Sequence, residues 1–224
     1  MIKNIVFDVG GVLANPRTGH WFITPNFWNI LDKNNIDENL LKKNLKEYLY
    51  LHTQEPKSEN EEYEMFKKYY FEVLKASNYS ELNDDIVSAI AQDCVYNDEK
   101  FKFFDDVFNG LMELSKKYDL YIISDGWPSS LRVLKNQGLD KYFKGIVISS
   151  MHSSSKRDDL FDKFLSEYPS VLPEESLYID DRTYILDKAK MYGFNLVLMN
   201  REGELIETEY KILANMQDIW DIIK

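Results

Sequence analysis

The stretch IKNIVFDVGGVL, residues 2–13, decides the fold of this chain. Its apolar run Ile5-Val6-Phe7 consists of strong strand formers, which is typical of a strand buried on both faces. Asp8 follows directly, at the point where open α/β sheets place their ligands, and Gly10-Gly11 permits a sharp turn close to a ligand. These residues predict a nucleophile or a metal ligand on a tight loop. A second interpretation, in which Asp8 only stabilises the turn, stays open at this stage.

The composition of the chain indicates a globular protein. Of its 224 residues, 44% are hydrophobic and 14% are aromatic, which is enough for a packed core. The formal net charge of -11 argues against nucleic-acid binding, which depends on cationic surface. Cys94 is the one cysteine, so neither an intrachain disulfide nor a cysteine-based zinc site is possible. Because no signal-peptide pattern or membrane-spanning run is found, we expect a cytoplasmic protein without membrane or nucleic-acid partners. The oligomeric state is not predicted.

Residues 15–94 have the pattern of a small helical bundle. Polar residues suited to begin a helix recur in this segment, and apolar residues follow each of them at helical spacing. The predicted starts are Thr24-Pro25, Asp37, Ser58 with Glu61 as a capping box, and Asn83 or Asp84. We therefore expect a helical cap domain over 15–94, inserted into an α/β core domain formed by 1–14 and 95–224.

From Phe101 onward, short apolar strands alternate with helical periods. The predicted strands are Leu120–Ile123, Ile146–Ile148, Leu177–Ile179 and Leu196–Met199. Strands joined by single helices form right-handed crossovers and lie parallel. The predicted fold class is therefore α/β, with a doubly wound, parallel, five-stranded Rossmann-like sheet. The tail from Ile206 to Ile222 is predicted to be helical.

Polar side chains at the ends of these strands predict a metal site. Asp8, Ser124 and the pair Asp180-Asp181 each follow or end a strand, and Lys156 lies in the loop after the third strand. The carboxyl ends of parallel strands meet at one edge of a sheet, so these side chains should converge. Mg²⁺ prefers a few carboxylates together with water and phosphate, and it would offset the repulsion among three acids. Each residue alone has an ordinary explanation, but their spacing on successive strands favours a site.

The chain resembles the haloacid dehalogenase (HAD) superfamily of hydrolases over nearly its whole length. The four motifs of that superfamily correspond, in order, to Phe7–Leu13, Ile123-Ser124, Lys156 and Ile179–Asp181. The helical segment after the first motif is similar to the type 1 cap. The resemblance implies a phosphatase that acts on a small phosphorylated metabolite through an aspartyl-phosphate.

The resemblance also implies a Mg²⁺ cofactor. The carboxylates of Asp8 and Asp181 and the backbone carbonyl of Gly10 would bind the ion. Asp180 would act through a water molecule or from the surroundings of the site. Such an ion supplies the charge neutralisation that phosphoryl transfer requires.

The same resemblance assigns catalytic roles to three side chains. Asp8 would attack the phosphoryl group. Ser124 would donate a hydrogen bond to a phosphoryl oxygen, and Lys156 would offset the charge of Asp8 and of the phosphate. The residues expected to bind substrate are Gly10, Gly11, Ser124, Asp125 and Lys156.

One position departs from the pattern of the family's phosphatases. Most of them have a second Asp two residues after the nucleophile, which acts as a general acid and base, and Gly10 occupies that position here. General acid–base catalysis typically contributes about 10²- to 10⁴-fold, so its loss should slow turnover, most of all for poor leaving groups. His20, Asp125 or solvent could substitute, although His20 is also explained as a surface residue.

Three other functions remain open. Ile123–Gly126, followed by Pro128, resembles the second motif of the 2-haloacid dehalogenases, which need no metal. The pair Asp180-Asp181 favours the metal-dependent phosphatase over that alternative. Gly10 leaves open a binding protein that turns nothing over. A phosphomutase is less favoured, because it usually needs the missing acid.

The predicted cap carries no motif that identifies a substrate. Trp21, Phe22, Phe27 and Trp28 could line a pocket when the cap closes. Aromatic residues at helical spacing are more often part of a helical core, and both interpretations stay open here.

Overall fold

The structure, a computed structural model, describes residues 1–53 and 56–223. The chain divides into two compact units. The core unit consists of Met1–Asn15, Lys102–Gly126 and Ser130–Lys224, and the helical unit consists of Pro16–Phe101 and Trp127–Ser129. The boundary expected at residue 95 falls inside the helical unit, which continues to Phe101 and includes a short segment around Pro128.

The core unit is built on a parallel sheet. In chain order, the strands are β1 (Asn4–Phe7), β2 (Ala14–Pro16), β3 (Phe101–Phe103), β4 (Asp119–Ser124), β5 (Phe143–Ile148), β6 (Ser176–Asp180), β7 (Asn195–Met199) and β8 (Lys211–Leu213). Strands β5, β4, β1, β6, β7 and β8 lie side by side in that order, and each neighbouring pair is parallel. The predicted α/β fold with a doubly wound parallel sheet is confirmed.

Helices connect the strands and build the helical unit. In chain order they are α1 (Phe27–Ile30), α2 (Glu38–Glu47), α3 (Glu59–Ala76), α4 (Asp84–Tyr96), α5 (Val107–Leu114), α6 (Pro128–Asn136), α7 (Leu160–Glu167), α8 (Thr183–Lys190) and α9 (Ile219–Ile222). Short 3₁₀ helices cover Lys33–Asn35, Leu49–Thr53, Asp98–Lys100, Asp140–Tyr142, Ser149–His152, Pro173–Glu175 and Met216–Asp218. Among the residues described, no helix combines the length and the hydropathy needed to cross a bilayer.

The register of the sheet aligns the ends of its central strands. Phe7 of β1 pairs with Ile122 of β4 on one side and with Ile179 of β6 on the other. The backbone N–H of Asp8 extends the ladder by donating to the carbonyl oxygen of Ile179 at 3.0 Å. Strands β1 and β6 are buried along their whole length, which explains the apolar runs Ile5-Val6-Phe7 and Leu177-Tyr178-Ile179 within them.

Two features of the strands differ from the prediction. The sheet has six strands rather than five, because Lys211–Leu213 forms β8 beside β7 in a segment predicted to be helical. Only Leu213 of this edge strand is buried, so its sequence shows no strand pattern. Strands β2 and β3 also pair as a separate two-stranded sheet that the sequence did not predict. Each has three residues, too few for an alternating pattern to be recognised.

Three helices of the helical unit begin at the predicted capping residues. The side chains of Asp37, Ser58 and Asn83 accept hydrogen bonds from backbone N–H groups in the first turns of α2, α3 and α4. These bonds satisfy donors that a helix otherwise leaves unpaired at its start. The local sequence therefore decides where these helices begin.

Two details of helix capping were predicted wrongly. Helix α1 begins at Phe27, after Asn26, so Thr24-Pro25 precedes the helix instead of starting it. The carboxylate of Glu61 accepts a hydrogen bond from the backbone N–H of Lys57 at 2.7 Å, so the reciprocal bond of a capping box is replaced by one to the preceding residue.

Aromatic side chains form much of the core of the helical unit. Phe27 is fully buried in this core, and Phe22 and Trp28 are partly buried against it. Trp21 is 38% exposed, and its ring lies edge-on to that of Phe101 at 5.7 Å. Of the four aromatic residues considered for a pocket, Phe22, Phe27 and Trp28 therefore contribute to core packing.

A buried carboxylate lies inside the helical unit. Glu62 of α3 is fully buried and accepts hydrogen bonds from the hydroxyl and, at 2.8 Å, from the backbone N–H of Ser129. The Lys100 ammonium lies 3.9 Å from Glu62 Oε1 and donates to the Cys94 carbonyl at 3.0 Å. Burial raises the pKa of Glu62, and Lys100 and Ser129 only partly oppose this effect.

We expect Glu62→Gln to remove part of the pH dependence of stability. The folded protein holds the Glu62 proton more tightly than the unfolded chain does, so the wild-type free energy of unfolding should fall as pH rises above the ordinary value of 4.5. Urea unfolding of both proteins across this range measures the difference. Glu64→Gln, on the exposed side of α3, is the matched control and should leave the wild-type slope in place. If the free energy of unfolding depended on pH equally in wild type and in Glu62→Gln, the prediction would be contradicted.

Candidate active site

Three strands of the core unit end beside one another, and each supplies a polar residue. Asp8 follows β1, Ser124 ends β4 and Asp180 ends β6. Because β1 lies between β4 and β6, Asp8 has Ser124 on one side and Asp180 on the other. All three side chains are buried. This edge is the carboxyl end of a parallel sheet, where α/β folds bind ligands.

Both oxygens of the Asp8 carboxylate have partners. The hydroxyl of Ser124 donates to Oδ1 at 2.7 Å, and the ammonium of Lys156 lies 2.8 Å from Oδ2. Burial raises the pKa of Asp8, Lys156 lowers it, and the carboxylate of Asp180 adds to the increase. Lys156 is therefore the main group that favours the ionised form of Asp8, which is the form a nucleophile needs.

Lys156 joins two carboxylates in the interior of the core unit. Its side chain is 1% exposed, and its ammonium lies 2.7 Å from Asp180 Oδ2 as well as close to Asp8. Burial lowers the pKa of Lys156, but the carboxylates of Asp8, Asp180 and Asp125 raise it by more. Asp125 also accepts a hydrogen bond from the backbone N–H of Lys156 at 2.9 Å, which fixes the loop that carries the lysine.

Hydrogen bonds occupy the Asp180 carboxylate on both oxygens. In addition to Lys156, Oδ2 accepts a bond from the hydroxyl of Tyr178 at 2.7 Å, and Oδ1 accepts one from the backbone N–H of Arg182 at 2.9 Å. Burial raises the pKa of Tyr178, so its hydroxyl remains a donor. With these partners, Asp180 is suited to position Lys156, and it is less suited than Asp181 to bind a metal directly.

Asp181 differs from the other two acids because one of its buried oxygens lacks a hydrogen bond. Within the described part of the chain, Oδ1 has no hydrogen-bond partner, and the Nε of Arg182 lies 3.7 Å away, which is too far for one. Burial raises the pKa of Asp181 to about 7, and the charges of Asp8 and Asp180 contribute to that increase. A further cation close to this carboxylate would lower that pKa.

These residues fit the Mg²⁺ site that the resemblance implies. Carboxylate oxygens of Asp8, Asp180 and Asp181 lie within 4.8 Å of one another, as the ligands of a single ion do. The ammonium of Lys156 is shared between Asp8 and Asp180, and the cation paired with Asp181 is Arg182, at 3.7 Å. A divalent cation would bind the unpartnered oxygen and lower the pKa of Asp181. A contribution from the backbone carbonyl of Gly10 remains a prediction.

The loop after Asp8 turns sharply and lies against Asp181. Gly11 has a φ of +71°, and its backbone N–H donates to the carbonyl oxygen of Ala14 at 3.0 Å. A Cβ atom at Gly11 would lie 2.2 Å from Asp181 Oδ2. Glycine is therefore needed here both for the left-handed backbone and for the close approach of a carboxylate.

Sequence reasoning missed two residues that support the site. Arg201 donates from Nε and Nη2 to the carbonyl oxygen of Val12 at 3.1 and 2.9 Å, and from Nη1 to Asp106 at 2.7 Å. No spacing rule relates an arginine after β7 to a loop after β1. Tyr178 was grouped with the apolar residues of its strand, although its position two residues before Asp180 places both side chains on one face.

The two candidate replacements for the missing acid have different surroundings. Asp125 is exposed and holds the backbone of Lys156. His20 belongs to the helical unit, and its Nδ1 accepts a hydrogen bond from the backbone N–H of Phe22 at 3.2 Å. Burial, followed by the charges of Lys46 and Lys42, lowers the pKa of His20. A role for either residue as an acid remains a prediction.

Comparison with known proteins identifies a family. A model of the haloacid dehalogenase-like hydrolases matches residues 5–199, a range that contains every residue of the candidate site. No curated protein matches the chain.

Several solved structures share the fold. The HAD-hydrolase YfnB from Bacillus subtilis, solved bound to magnesium, is 16% identical at a TM-score of 0.72, with 99% of this chain and 98% of that one covered. A 2-haloacid dehalogenase from Pseudomonas syringae is 16% identical at a TM-score of 0.69, with 100% of this chain and 98% of that one covered. A HAD phosphatase from Thermococcus onnurineus is 18% identical at a TM-score of 0.67, with 99% of this chain and 98% of that one covered. Similarity at this level of identity concerns the fold alone.

We expect Gly11→Ala to weaken Mg²⁺ binding by at least about tenfold, since both the left-handed backbone strain and the displacement of Asp181 oppose it. Isothermal titration calorimetry with Mg²⁺ measures the affinity. Gly138→Ala is the matched control in the same unit, because Gly138 has a φ of +68° and no atom lies within 4 Å of its added Cβ. Equal Mg²⁺ affinities of the two variants would show that the contact with Asp181 is unimportant.

Proposed function

The chain belongs to the haloacid dehalogenase-like hydrolases, and on that premise we propose that it is a Mg²⁺-dependent phosphatase acting on a small phosphorylated metabolite. Structural neighbours include both a dehalogenase and a phosphatase, so the choice between these reactions depends on the site itself. The observation that supports the phosphatase is that Asp181 has a buried oxygen without a hydrogen bond among the described residues, together with a raised pKa.

A metal-free reaction would leave Asp181 without a function. The dehalogenases of this superfamily need the nucleophilic aspartate but no metal, and Lys156 already pairs with Asp8 and Asp180. A third carboxylate, with a buried oxygen that has no hydrogen-bond partner among the described residues, adds an electrostatic cost that Arg182, at 3.7 Å, offsets only in part. In a metal-dependent phosphatase, the same oxygen is a ligand.

The residues of the core unit can carry out both steps of phosphoester hydrolysis. In the first step, an oxygen of Asp8 attacks phosphorus, the bond to the leaving oxygen breaks and an aspartyl-phosphate forms. The ammonium of Lys156 offsets the charges that Asp8 and the phosphate bring together. The hydroxyl of Ser124 can turn from Asp8 Oδ1 to a phosphoryl oxygen. In the second step, water attacks phosphorus, phosphate leaves and Asp8 is restored.

Asp8, Asp181 and the carbonyl of Gly10 would hold Mg²⁺, which when bound neutralises charge on the phosphoryl oxygens. Asp180 would keep Lys156 in place through the bond at 2.7 Å. Since Gly10 provides no acid, the leaving oxygen takes its proton from solvent, Asp125 or His20.

A 2-haloacid dehalogenase is the second candidate. The buried pair of Asp8 and Lys156, at 2.8 Å, would equally support attack of the carboxylate on a carbon that bears a halide. The halide would leave, and water would hydrolyse the resulting ester. The segment Ile123–Gly126 resembles the corresponding motif of these enzymes.

We expect Mg²⁺-dependent hydrolysis of p-nitrophenyl phosphate that EDTA removes and added Mg²⁺ restores. Asp8→Asn should lower its rate by at least about 10³-fold, because the nucleophile is lost. Asp105→Asn, the same change at an exposed aspartate of the core unit, serves as the control. Release of p-nitrophenol measures the rate.

Two outcomes would contradict the phosphatase. Equal phosphate release by wild type and Asp8→Asn would end the assignment of the nucleophile and favour a binding protein without turnover. Chloride release from 2-chloropropionate that EDTA does not affect would establish the dehalogenase.

We expect Gly10→Asp to accelerate hydrolysis of alkyl phosphates more than that of p-nitrophenyl phosphate. An acid at this position protonates a poor leaving group but adds little to a good one, so the ratio of the two kcat/KM values should rise by about tenfold or more. Gly10 is not among the glycines with positive φ, so its backbone conformation does not require glycine. Gly10→Asn is the control, since its side chain has similar size and no acidic proton. An equal ratio in both variants would show that an acid here is ineffective.

A further inference from the structure

Two arginines directly follow residues of the candidate site. Arg157 comes after Lys156, and Arg182 comes after Asp181. Both belong to the core unit, and both side chains are exposed, that of Arg182 to 43%. Because their neighbours in sequence are held at the reaction centre, the two guanidinium groups start from backbone positions beside it.

One tyrosine contacts both guanidinium groups. Arg157 lies over the ring of Tyr184, 4.6 Å from its centre, and Arg182 donates from Nη1 to the hydroxyl of the same residue at 3.2 Å. We call these three residues the arginine rim. The tyrosine holds two flexible cations close together, which lowers the conformational entropy that they would lose on binding an anion.

The contacts of Arg182 do not use its full capacity. A guanidinium has five N–H donors, and the bond to Tyr184 uses one of them. The distance of 3.7 Å to Asp181 exceeds a hydrogen bond, so this ion pair leaves the forked face of the guanidinium available.

We propose that Arg157 and Arg182 bind a second oxyanion of the substrate, so that the natural substrate is a small phosphomonoester that also carries a carboxylate or a second phosphate. This inference rests on the proposed function, because it assumes that the transferred phosphoryl group occupies the site of Asp8 and Lys156. Arginine binds carboxylate and phosphate in a bidentate manner, and two arginines at one point favour such a group over a neutral hydroxyl.

The overall charge of the protein strengthens the case for a local cationic site. With a formal net charge of -11, the chain repels anionic metabolites at long range. Lys156 and the expected Mg²⁺ are committed to Asp8, Asp180, Asp181 and the transferred phosphate. A further negative charge on the substrate therefore needs cations of its own, and the arginine rim supplies two.

Phosphonates that cannot be hydrolysed test the inference. Phosphonoacetate, 3-phosphonopropionate and 4-phosphonobutyrate each carry a carboxylate, and ethyl-, propyl- and butylphosphonate are their neutral-ended counterparts. Bisphosphonates of the same lengths distinguish a second phosphate from a carboxylate. Calorimetry with the full chain and Mg²⁺ measures each affinity directly, and inhibition of p-nitrophenyl phosphate hydrolysis measures it at the reaction site.

For at least one length, we expect the doubly anionic ligand to bind about 10- to 100-fold more tightly than its neutral-ended counterpart, as charge-assisted bonds to arginine imply. Arg157→Gln and Arg182→Gln should each reduce this ratio by at least about fivefold. Lys188→Gln is the matched control, because Lys188 is a cation over the ring of Tyr192 at 5.9 Å in the same unit, and it should keep the wild-type ratio.

The inference would be overturned if the wild type bound the doubly anionic ligand and its neutral-ended counterpart equally tightly at every chain length. It would also be overturned if the doubly anionic ligands showed no measurable binding. A ratio that survives both arginine substitutions would also overturn it. Loss of the proposed function is detected separately: p-nitrophenyl phosphate hydrolysis that does not require Asp8 and Mg²⁺ refutes the phosphatase, whatever the phosphonates show.

Discussion

The structure of the site depends on one buried ammonium shared by two buried carboxylates. Lys156 lies 2.8 Å from Asp8 and 2.7 Å from Asp180, and all three side chains are almost completely removed from solvent. Removing one partner from such an arrangement leaves an uncompensated charge, which typically costs about 3–5 kcal/mol. Asp125 holds the loop that carries Lys156, and Tyr178 donates a hydrogen bond to Asp180, so both bonds favour the position of the ammonium between the two carboxylates.

The third carboxylate adds negative charge beside this arrangement. Asp181 adjoins the shared ammonium without pairing closely with it. Its buried Oδ1 has no hydrogen bond within the described residues, and burial raises its pKa to about 7. Gly11 approaches its other oxygen so closely that a side chain would displace it. The turn at Gly11 and the side chain of Asp181 therefore pack closely against each other. A divalent cation would complete the charge balance, and this is the physical basis for proposing a phosphatase within a family that also contains dehalogenases.

The absence of an acid at Gly10 and the presence of the arginine rim concern different parts of a substrate. The first affects how the leaving oxygen acquires a proton, and the second affects which leaving groups bind. Both follow from residues of the core unit. The helical unit contributes a well-packed aromatic core and a buried glutamate, and Phe22, Phe27 and Trp28 are part of that packing.

The sequence by itself determined the parallel sheet, the starts of three cap helices and the polar residues at the strand ends, because apolar runs, capping residues and strand-end acids are local patterns. It did not predict β8, whose three residues are mostly exposed, or the support of the site by Tyr178 and Arg201. Only the tertiary structure decided that both oxygens of Asp180 accept hydrogen bonds while Oδ1 of Asp181 accepts none from the described residues, and that one tyrosine joins Arg157 to Arg182. These properties arise from contacts between distant segments, and no periodicity along the chain encodes which oxygen a folded neighbour will reach.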